Sequence, residues 1–281
     1  MSDSLSRRRF LAATTLTVPM LTMDLQSQLS PTRSVSESRP KTSPNAAVTG
    51  DLYPVEPSEL ARETVLVSHF DLARVKELVG AHPSLAKATW DWGFGDWESA
   101  LGAASHMGNR AIAEFLLANG AHPSIFSATM LGHLDVVKAF IAAQPGIQRT
   151  PGPHSISLLA HAKAGGEAAR PVFEFLQSLG DAGGSPEAPL ADHDRAAILG
   201  TYIFGPASTQ QVDVTVEKGR LTWTRKGTMG RALFHLGEQV FYPGGAPAVR
   251  IRFSEDGGVR MMTVNDPDIV LVGKMNRAPG G

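Results

Sequence analysis

The chain has 281 residues, contains no cysteine, and carries 26 Lys and Arg against 27 Asp and Glu. The absence of cysteine excludes disulfides, thiolate nucleophiles and cysteine-based zinc sites. Residues 51–281 hold 20 basic and 24 acidic side chains, and this balance argues against a nucleic-acid partner, which would need a basic surface.

The first residues have the pattern of an export signal. The segment SRRRFL, residues 6–11, leads into an apolar run that starts at Phe10, ends at Met23 and is 14 residues long. A membrane-spanning helix needs about 20 residues, so a membrane anchor is the less favoured alternative. The segment resembles the twin-arginine class of bacterial signals. The resemblance implies a signal at residues 1–23, a periplasmic or secreted protein, and no stable membrane insertion after cleavage.

Composition divides the rest of the chain. Residues 24–57 are rich in serine and proline without apolar periodicity, which predicts a disordered linker. A second composition change at residues 181–191 predicts a flexible linker between two domains. The part between these linkers, residues 58–180, has helical periodicity, whereas residues 192–276 alternate and residues 277–281 form a tail. We therefore expect an α + β multidomain protein.

The helical part contains an internal repeat. GAHPS occurs at residues 80–84 and again at residues 120–124, with apolar residues at helical spacing between the copies. The stretches SALGAASHMGN, residues 99–109, and ATMLGH, residues 128–133, share an order of small residues followed by a turn glycine. These motifs resemble the ankyrin repeat, and the resemblance implies an α-solenoid of about four units.

One of these units is expected to be shortened. The turn glycines Gly108 and Gly132 are 24 residues apart, whereas the ankyrin period is about 33 residues. The third unit must therefore lack most of its projecting finger loop.

The ankyrin resemblance also implies where a partner binds. In that family, partners contact the finger tips and the two residues before the turn glycine of each first helix. A protein partner of unknown identity is therefore expected at the following residues: Trp92, Phe94, Asp96, Trp97, His106, Met107, Met130, Leu131 and, by weaker alignment, Ser68 and His69. Alternatively, at least two of the three aromatic residues fill the gap left by the short finger or pack on the second domain.

Three histidines allow a different kind of site. His154 and His161 are seven residues apart and, with His106, could converge as a metal or acid–base cluster. Because no carboxylate stands at ligand spacing beside them, we instead expect capping or inter-repeat hydrogen-bonding histidines, with no metal and no other cofactor. A hydrolase that uses His106 or His154 is a weaker alternative. Its nearby carboxylates are Asp91, Asp96 and Glu98.

The second domain is predicted to be a small antiparallel β-barrel. Val212, Val214 and Val216 alternate with polar residues before a turn at residues 217–220, as in a β-hairpin. Similar alternation occurs in residues 249–264 and in the residues that follow. Together these patterns predict about six strands that form a closed or nearly closed barrel. The pattern is similar to small lipocalin-like domains at the C-termini of exported serine hydrolases. That resemblance implies an accessory or ligand-cradling role.

These observations predict an exported, monomeric ankyrin-repeat binding protein that is not an enzyme. No nucleophile elbow, zinc-protease motif or phosphate-binding glycine loop occurs in the sequence. The alternative from another class is a protein that binds a small ligand or a glycan with the Trp-rich loop or with the barrel.

Overall fold

The computed structural model of the chain describes residues 55–184 and 186–276. The predicted signal, the predicted linker up to residue 54 and the predicted tail lie outside the described residues. Within these ranges, none of the helices combines the length and the apolar character that crossing a membrane requires.

Among the described residues, eight helices form four consecutive pairs. They are α1 Ser58–Val67 with α2 Leu72–Ala81, α3 Ala100–His106 with α4 Arg110–Ala118, α5 Ile125–Met130 with α6 Leu134–Ala143, and α7 Leu158–Ala164 with α8 Arg170–Leu179. Short 3-10 helices cover Pro83–Lys87, Ile147–Arg149, Pro153–Ser155 and Gly166–Ala169. Four pairs agree in number with the four repeat units expected from the sequence, whereas the ankyrin assignment itself stays a prediction.

In three of the helix pairs, the sequence specifies where the first helix starts. In two of them, it also specifies the turn between the two helices. Ser99, Ser124 and Ser157 each accept a hydrogen bond from a backbone N–H of the first turn of α3, α5 and α7, which stabilises helix starts. Gly108 and Gly132 have φ of 73° and 82°, a region that favours glycine. The chain turns there between the helices of a pair, as the sequence predicted.

A finger-like hairpin precedes α3. Strands β1 Thr89–Asp91 and β2 Trp97–Ser99 pair antiparallel, with Trp90 opposite Glu98. In the described chain, residues 119–124 connect α4 to α5 without a strand. The hairpin that precedes α3 is therefore not repeated before α5, and the loss of one ankyrin finger stays a prediction.

Eight antiparallel strands form a closed barrel in the described part of the second domain. They are β3 Gly200–Ile203, β4 Gln211–Glu217, β5 Arg220–Arg225, β6 Arg231–Gly237, β7 Val240–Pro243, β8 Arg250–Asp256, β9 Val259–Asp266 and β10 Ile269–Met275. Helix α9, Asp192–Ala197, leads into β3, and a 3-10 helix covers Ser208–Gln210. Strand β10 pairs with both β9 and β3, so the sheet closes.

The barrel was predicted, but the strand count of about six was too low. Strands β3 and β7 have four residues each, too few to show a clear alternation in sequence. The interior is filled by side chains that include Tyr202, Phe241 and Ile251, as expected for a small barrel.

The described part of the predicted linker is attached to the barrel. The Ala188 N–H donates to the His235 carbonyl at 3.0 Å, and Glu187 pairs with Arg220 at 2.6 Å. The helical part contacts the barrel as well, because Arg231 on β6 donates to the carbonyls of Trp92 at 2.8 Å and Gly93 at 3.0 Å. The expected flexible linker is therefore held by hydrogen bonds over this stretch.

Candidate metal centre

The side chain of Glu98 is fully buried beneath the hairpin. Neighbouring side chains of a strand point to opposite faces, so Trp97 faces outward with 62% of its surface exposed while Glu98 faces inward. The Trp92 indole N–H donates to Glu98 Oε2 at 2.8 Å. Burying a carboxylate costs free energy unless other groups compensate its negative charge. The neutral Trp92 indole cannot do this alone.

Three histidine rings surround this carboxylate. The distance to Glu98 Oε2 is 3.5 Å from His69 Nε2 and 3.3 Å from His154 Nε2. The distance from His106 Nδ1 to Glu98 Oε1 is 3.1 Å. We call these four residues the His–Glu cluster. Its histidines come from the turn after α1, the end of α3 and the 3-10 helix Pro153–Ser155.

Hydrogen bonds on the far side of two rings set their orientation. His69 Nδ1 lies 3.1 Å from the Val65 carbonyl and 3.0 Å from the Leu66 carbonyl. His154 Nδ1 lies 2.7 Å from Asp96 Oδ2. Because these oxygens accept, the hydrogen is assigned to Nδ1 in both rings, and Nε2 is left facing Glu98. Metal-binding histidines are oriented in this way.

The polar atoms inside the cluster lie close together, but their geometry does not allow hydrogen bonds between them. His69 Nε2, His106 Nδ1, His154 Nε2 and Glu98 Oε1 are all buried, and none has a hydrogen-bond partner among the described residues. Buried polar atoms are normally paired. Two of the four atoms, the Nε2 atoms of His69 and His154, face the same oxygen, Glu98 Oε2, and this arrangement indicates a site shaped for a cation.

The spacing suits a transition-metal ion. Donor atoms of His69, Glu98 and His154 all lie within 4.8 Å of one another. An ion bound tetrahedrally at about 2.0–2.1 Å requires neighbouring donors about 3.3–3.4 Å apart. The observed distances of 3.3 and 3.5 Å from Glu98 Oε2 to the two Nε2 atoms are close to that requirement.

Without a metal, the cluster is an ion pair. Burial acts to raise the pKa of Glu98, but His106 and His154 outweigh it and lower that pKa to about 2. Burial acts to lower the pKa of His154, but Asp96 and Glu98 outweigh it and raise that pKa to about 9. Burial lowers the pKa of His69. The metal-free site therefore holds one carboxylate whose charge His154 balances.

The barrel supports the cluster through Asp96. The Asp96 carboxylate accepts from the His154 backbone N–H at 2.9 Å, and Arg231 of β6 approaches it at 3.5 Å. Gly245, near the start of the loop after β7, lies directly against this carboxylate with a φ of +81°. Any side chain at Gly245 would displace Asp96, so a barrel residue controls the orientation of His154.

Gly245→Ala is therefore expected to weaken metal binding about 10-fold or more, the usual cost of disturbing a residue that orients a metal ligand. Titration of the chelator-stripped protein with Zn²⁺ measures the change. Gly227→Ala is the matched control, because Gly227 has a φ of +84° and no described atom lies within 4 Å of the added carbon. If the two variants bind Zn²⁺ with equal affinity, Asp96 does not orient His154 for metal binding.

The predicted partner-binding residues fall into three groups, which are exposed, lie at the His–Glu cluster, or pack within the helical part. Trp97 and Met107 are exposed, and Phe94 is exposed at its edge while lying 6.2 Å from the Trp223 ring of the barrel. Trp92 packs against the helical core. His69 and His106 belong to the His–Glu cluster, and Asp96 orients the His154 ring of that cluster. Phe94 lies against the second domain, as the alternative proposed, whereas Trp92 packs on the helical core instead.

Ser68, Met130 and Leu131 were predicted to contact a partner, and the structure contradicts this prediction. All three side chains are buried, and a partner cannot reach them without rearrangement of the fold. Met130 and Leu131 end α5, where Gly132 lies against the carbonyl of Ala168 and Gly165 lies against the carbonyl of Met130. The next helix pair covers the positions that the repeat alignment placed on the surface.

The expectation that no carboxylate lies beside the histidines is wrong, since Glu98 contacts His106 and His154. The hydrolase alternative named these three residues with Asp96 and Asp91. The structure brings the first four together, whereas Asp91 accepts from the Gly93 N–H at 2.7 Å. His161 is different: its Nδ1 lies 2.8 Å from the Ser157 carbonyl, and burial lowers its pKa to about 4. It bonds to the backbone of the residue that precedes its own helix, whereas a capping or inter-repeat hydrogen bond was expected.

No protein-family model matches the chain, and comparisons with curated proteins and with solved structures gave no match. The geometry of the His–Glu cluster is therefore the basis on which a function is proposed.

Proposed function

We propose that this protein binds a divalent transition-metal ion, Zn²⁺ in the first instance, through His69 Nε2, Glu98 and His154 Nε2. Two buried, unpaired Nε2 atoms, of His69 and His154, converge on Glu98 Oε2, and this arrangement carries the proposal. Imidazole nitrogen with one carboxylate suits zinc and its neighbours. Calcium and magnesium prefer oxygen ligands only, so they are poor candidates for this set.

His106 has a supporting role in this proposal. Its Nδ1 faces Glu98 Oε1, the carboxylate oxygen that does not face the two Nε2 atoms. This contact of 3.1 Å occupies the Oε1 side of the carboxylate and leaves Oε2 facing the two Nε2 atoms. Two histidines and one carboxylate leave a further position for water or substrate, as in catalytic zinc sites, where the bound water ionises near neutral pH.

The first test is direct metal binding by the full chain. The protein is stripped with a chelator and titrated with Zn²⁺, and Co²⁺ is used in parallel because its visible spectrum reports coordination. We expect saturable binding of one ion, lost in His69→Ala and retained in His193→Ala, whose histidine is exposed. No saturable site, or an unchanged site in His69→Ala, would refute the proposal.

Metal binding is also expected to stabilise the fold. An ion that binds only the folded state at 100 times its dissociation constant adds about 2.7 kcal/mol to the free energy of unfolding. Thermal melts of the stripped protein with and without Zn²⁺ measure this gain. The gain should disappear in His69→Ala, whereas an equal gain there would show that the ion acts elsewhere.

A second candidate function is recognition of a protein partner by an exported ankyrin-repeat protein. It is supported by two of the predicted contact residues, since Trp97 and Met107 expose 62% and 53% of their surfaces, and large exposed apolar side chains are typical of binding surfaces. The test is affinity capture from a periplasmic extract with the wild type and with a Trp97→Ala, Met107→Ala variant. A protein retained only by the wild type, with both forms folded by circular dichroism, would support it. Equal capture would contradict it.

A further inference from the structure

The strand that closes the barrel, β10, has one edge without a neighbour over residues 269–273. On one side, β10 pairs with β9 from Ile269 to Lys274. On the other side, β3 pairs only with Lys274 and Met275. Among the described residues, no other strand pairs with β10 on that side. An unpaired strand edge is a template on which another strand can pair.

The backbone groups directed to this edge belong to alternate residues. The Asn276 N–H donates to the Thr201 carbonyl at 2.8 Å, so the backbone of Asn276 is directed to the side on which β3 lies. The hydrogen-bonding direction alternates along an antiparallel strand. The N–H and C=O groups of Val270 and Val272 are therefore directed to the same side, where they meet no strand of the described chain.

The stretch along this edge is apolar and exposed on both faces. Ile269, Val270, Leu271 and Val272 expose 47, 62, 37 and 53% of their surfaces, and neighbouring side chains of a strand point to opposite faces. Proteins usually protect such an edge with a charge, a proline or a bulge. Residues 269–272 contain neither a charge nor a proline, and their register with β9 is continuous. Exposed apolar surface of this kind marks an interaction site.

Charges at the two ends of this stretch identify the occupant. Asp268 precedes the stretch and Lys274 follows it, and both residues are exposed. A second copy that pairs antiparallel runs in the opposite direction, so the acid of each copy lies at the end where the other copy has its lysine. The edge is therefore complementary to itself in charge as well as in backbone hydrogen bonding, which a two-fold symmetric contact requires.

We propose that this edge of β10 pairs antiparallel with the same edge of a second copy and forms a symmetric dimer. In the register that ends before β3, Val270 lies opposite Val270 of the second copy, and Asp268 lies opposite its Val272. The Val272 N–H then donates to the Asp268 carbonyl of the other copy. The Asp268 N–H is not needed for this contact, because the Asp266 carboxylate already accepts from it at 3.1 Å.

The same register places the charges in reach of each other. Lys274 becomes the diagonal neighbour of Asp268 in the second copy, about 7–8 Å away across the strands, and both side chains lie on one face because residues 268, 270, 272 and 274 alternate with the others. The contact does not involve the His–Glu cluster, so it is independent of the proposed metal centre.

The test is sedimentation equilibrium of the full-length protein. The protein is stripped with a chelator, so that an ion bound between copies cannot imitate the contact. A strand pair is at the low end of interface sizes, and we therefore expect a dimer that dissociates on dilution from about 1 mM to about 1 μM. The sequence predicted a monomer, and this measurement separates the two expectations.

Val270→Lys is expected to weaken dimerisation at least about 10-fold, because like charges then lie directly opposite each other at the two-fold axis. Val270 is exposed, so the change adds no charge to the core. Val136→Lys is the matched control, since Val136 is an exposed valine of α6 with 44% of its surface accessible, and it should leave dimerisation unchanged. A wild type that stays monomeric, or equal dimerisation of the two variants, would overturn the proposal.

A charge exchange tests the antiparallel arrangement. Lys274→Glu is expected to weaken dimerisation about fivefold or more, because it replaces both attractive pairs of the dimer with repulsive ones. Adding Asp268→Lys to Lys274→Glu restores opposite charges and should return the dissociation constant to within about twofold of the wild-type value. If the double variant dimerises no better than Lys274→Glu alone, the antiparallel pairing of β10 is wrong.

Discussion

Glu98→Gln is expected to weaken Zn²⁺ binding at least about 100-fold, because even the residues that only orient metal ligands contribute 10–100-fold. Glutamine keeps the shape of the side chain and removes the charge that three imidazoles face. Competition with a chromophoric chelator measures the affinity. Glu174→Gln is the matched control, since Glu174 is an exposed acid of α8. An affinity for Glu98→Gln within about threefold of the control would remove Glu98 from the ligand set.

The same substitution separates a structural role from a metal-binding role. In the metal-free protein, buried Glu98 is paired with His154, which is 21% exposed. Removing one partner of a buried ion pair costs about 3–5 kcal/mol. Urea unfolding of the stripped proteins measures that loss. If the variant is less stable but its affinity for zinc is unchanged, the cluster is a structural ion pair and the proposed function fails. Loss of both is the expected result.

Gly132→Ala is expected to lower the free energy of unfolding by roughly 2–5 kcal/mol. A non-glycine residue in the left-handed region costs about 1–2 kcal/mol, and Gly132 has a φ of +82°. The added carbon would also overlap the carbonyl of Ala168 in the following helix pair, and overpacking typically costs a further 1–3 kcal/mol. Urea denaturation followed by circular dichroism measures the change.

Gly120→Ala is the control for this prediction. Gly120 has a φ of +90°, but no described atom lies within 4 Å of the added carbon. Only the backbone strain of about 1–2 kcal/mol is therefore expected. If both variants lose the same stability, the close contact between helix pairs at Gly132 contributes nothing beyond its backbone conformation.

Much of the fold follows from local sequence patterns. Turn glycines, serine caps and helical periodicity predicted the paired helices, and alternation predicted a barrel. The strand count was low because β3 and β7 are too short for alternation to show. The attachment of the linker was missed since it depends on partners far along the chain, such as His235 with Ala188.

The site was only partly accessible from the sequence. His106, His154 and Glu98 were recognised as candidates, but Glu98 was placed near a histidine only in the weaker hydrolase alternative. His69 was assigned to a partner surface by its position in a repeat unit. One signal was present in the hairpin, where Asp96 and Glu98 have the spacing of side chains on one face of a strand. Nothing local linked that pair to His154.

The sequence by itself determined the local elements, because helix and strand periodicity, caps and positive-φ turns act over a few residues. Only the tertiary structure decided which side chains converge. The stacking of helix pairs buried Met130 and Leu131, and it brought His69, Glu98 and His154 within 4.8 Å. Ion pairing and metal coordination depend on distances of a few ångströms between residues far apart in the chain, and packing sets those distances.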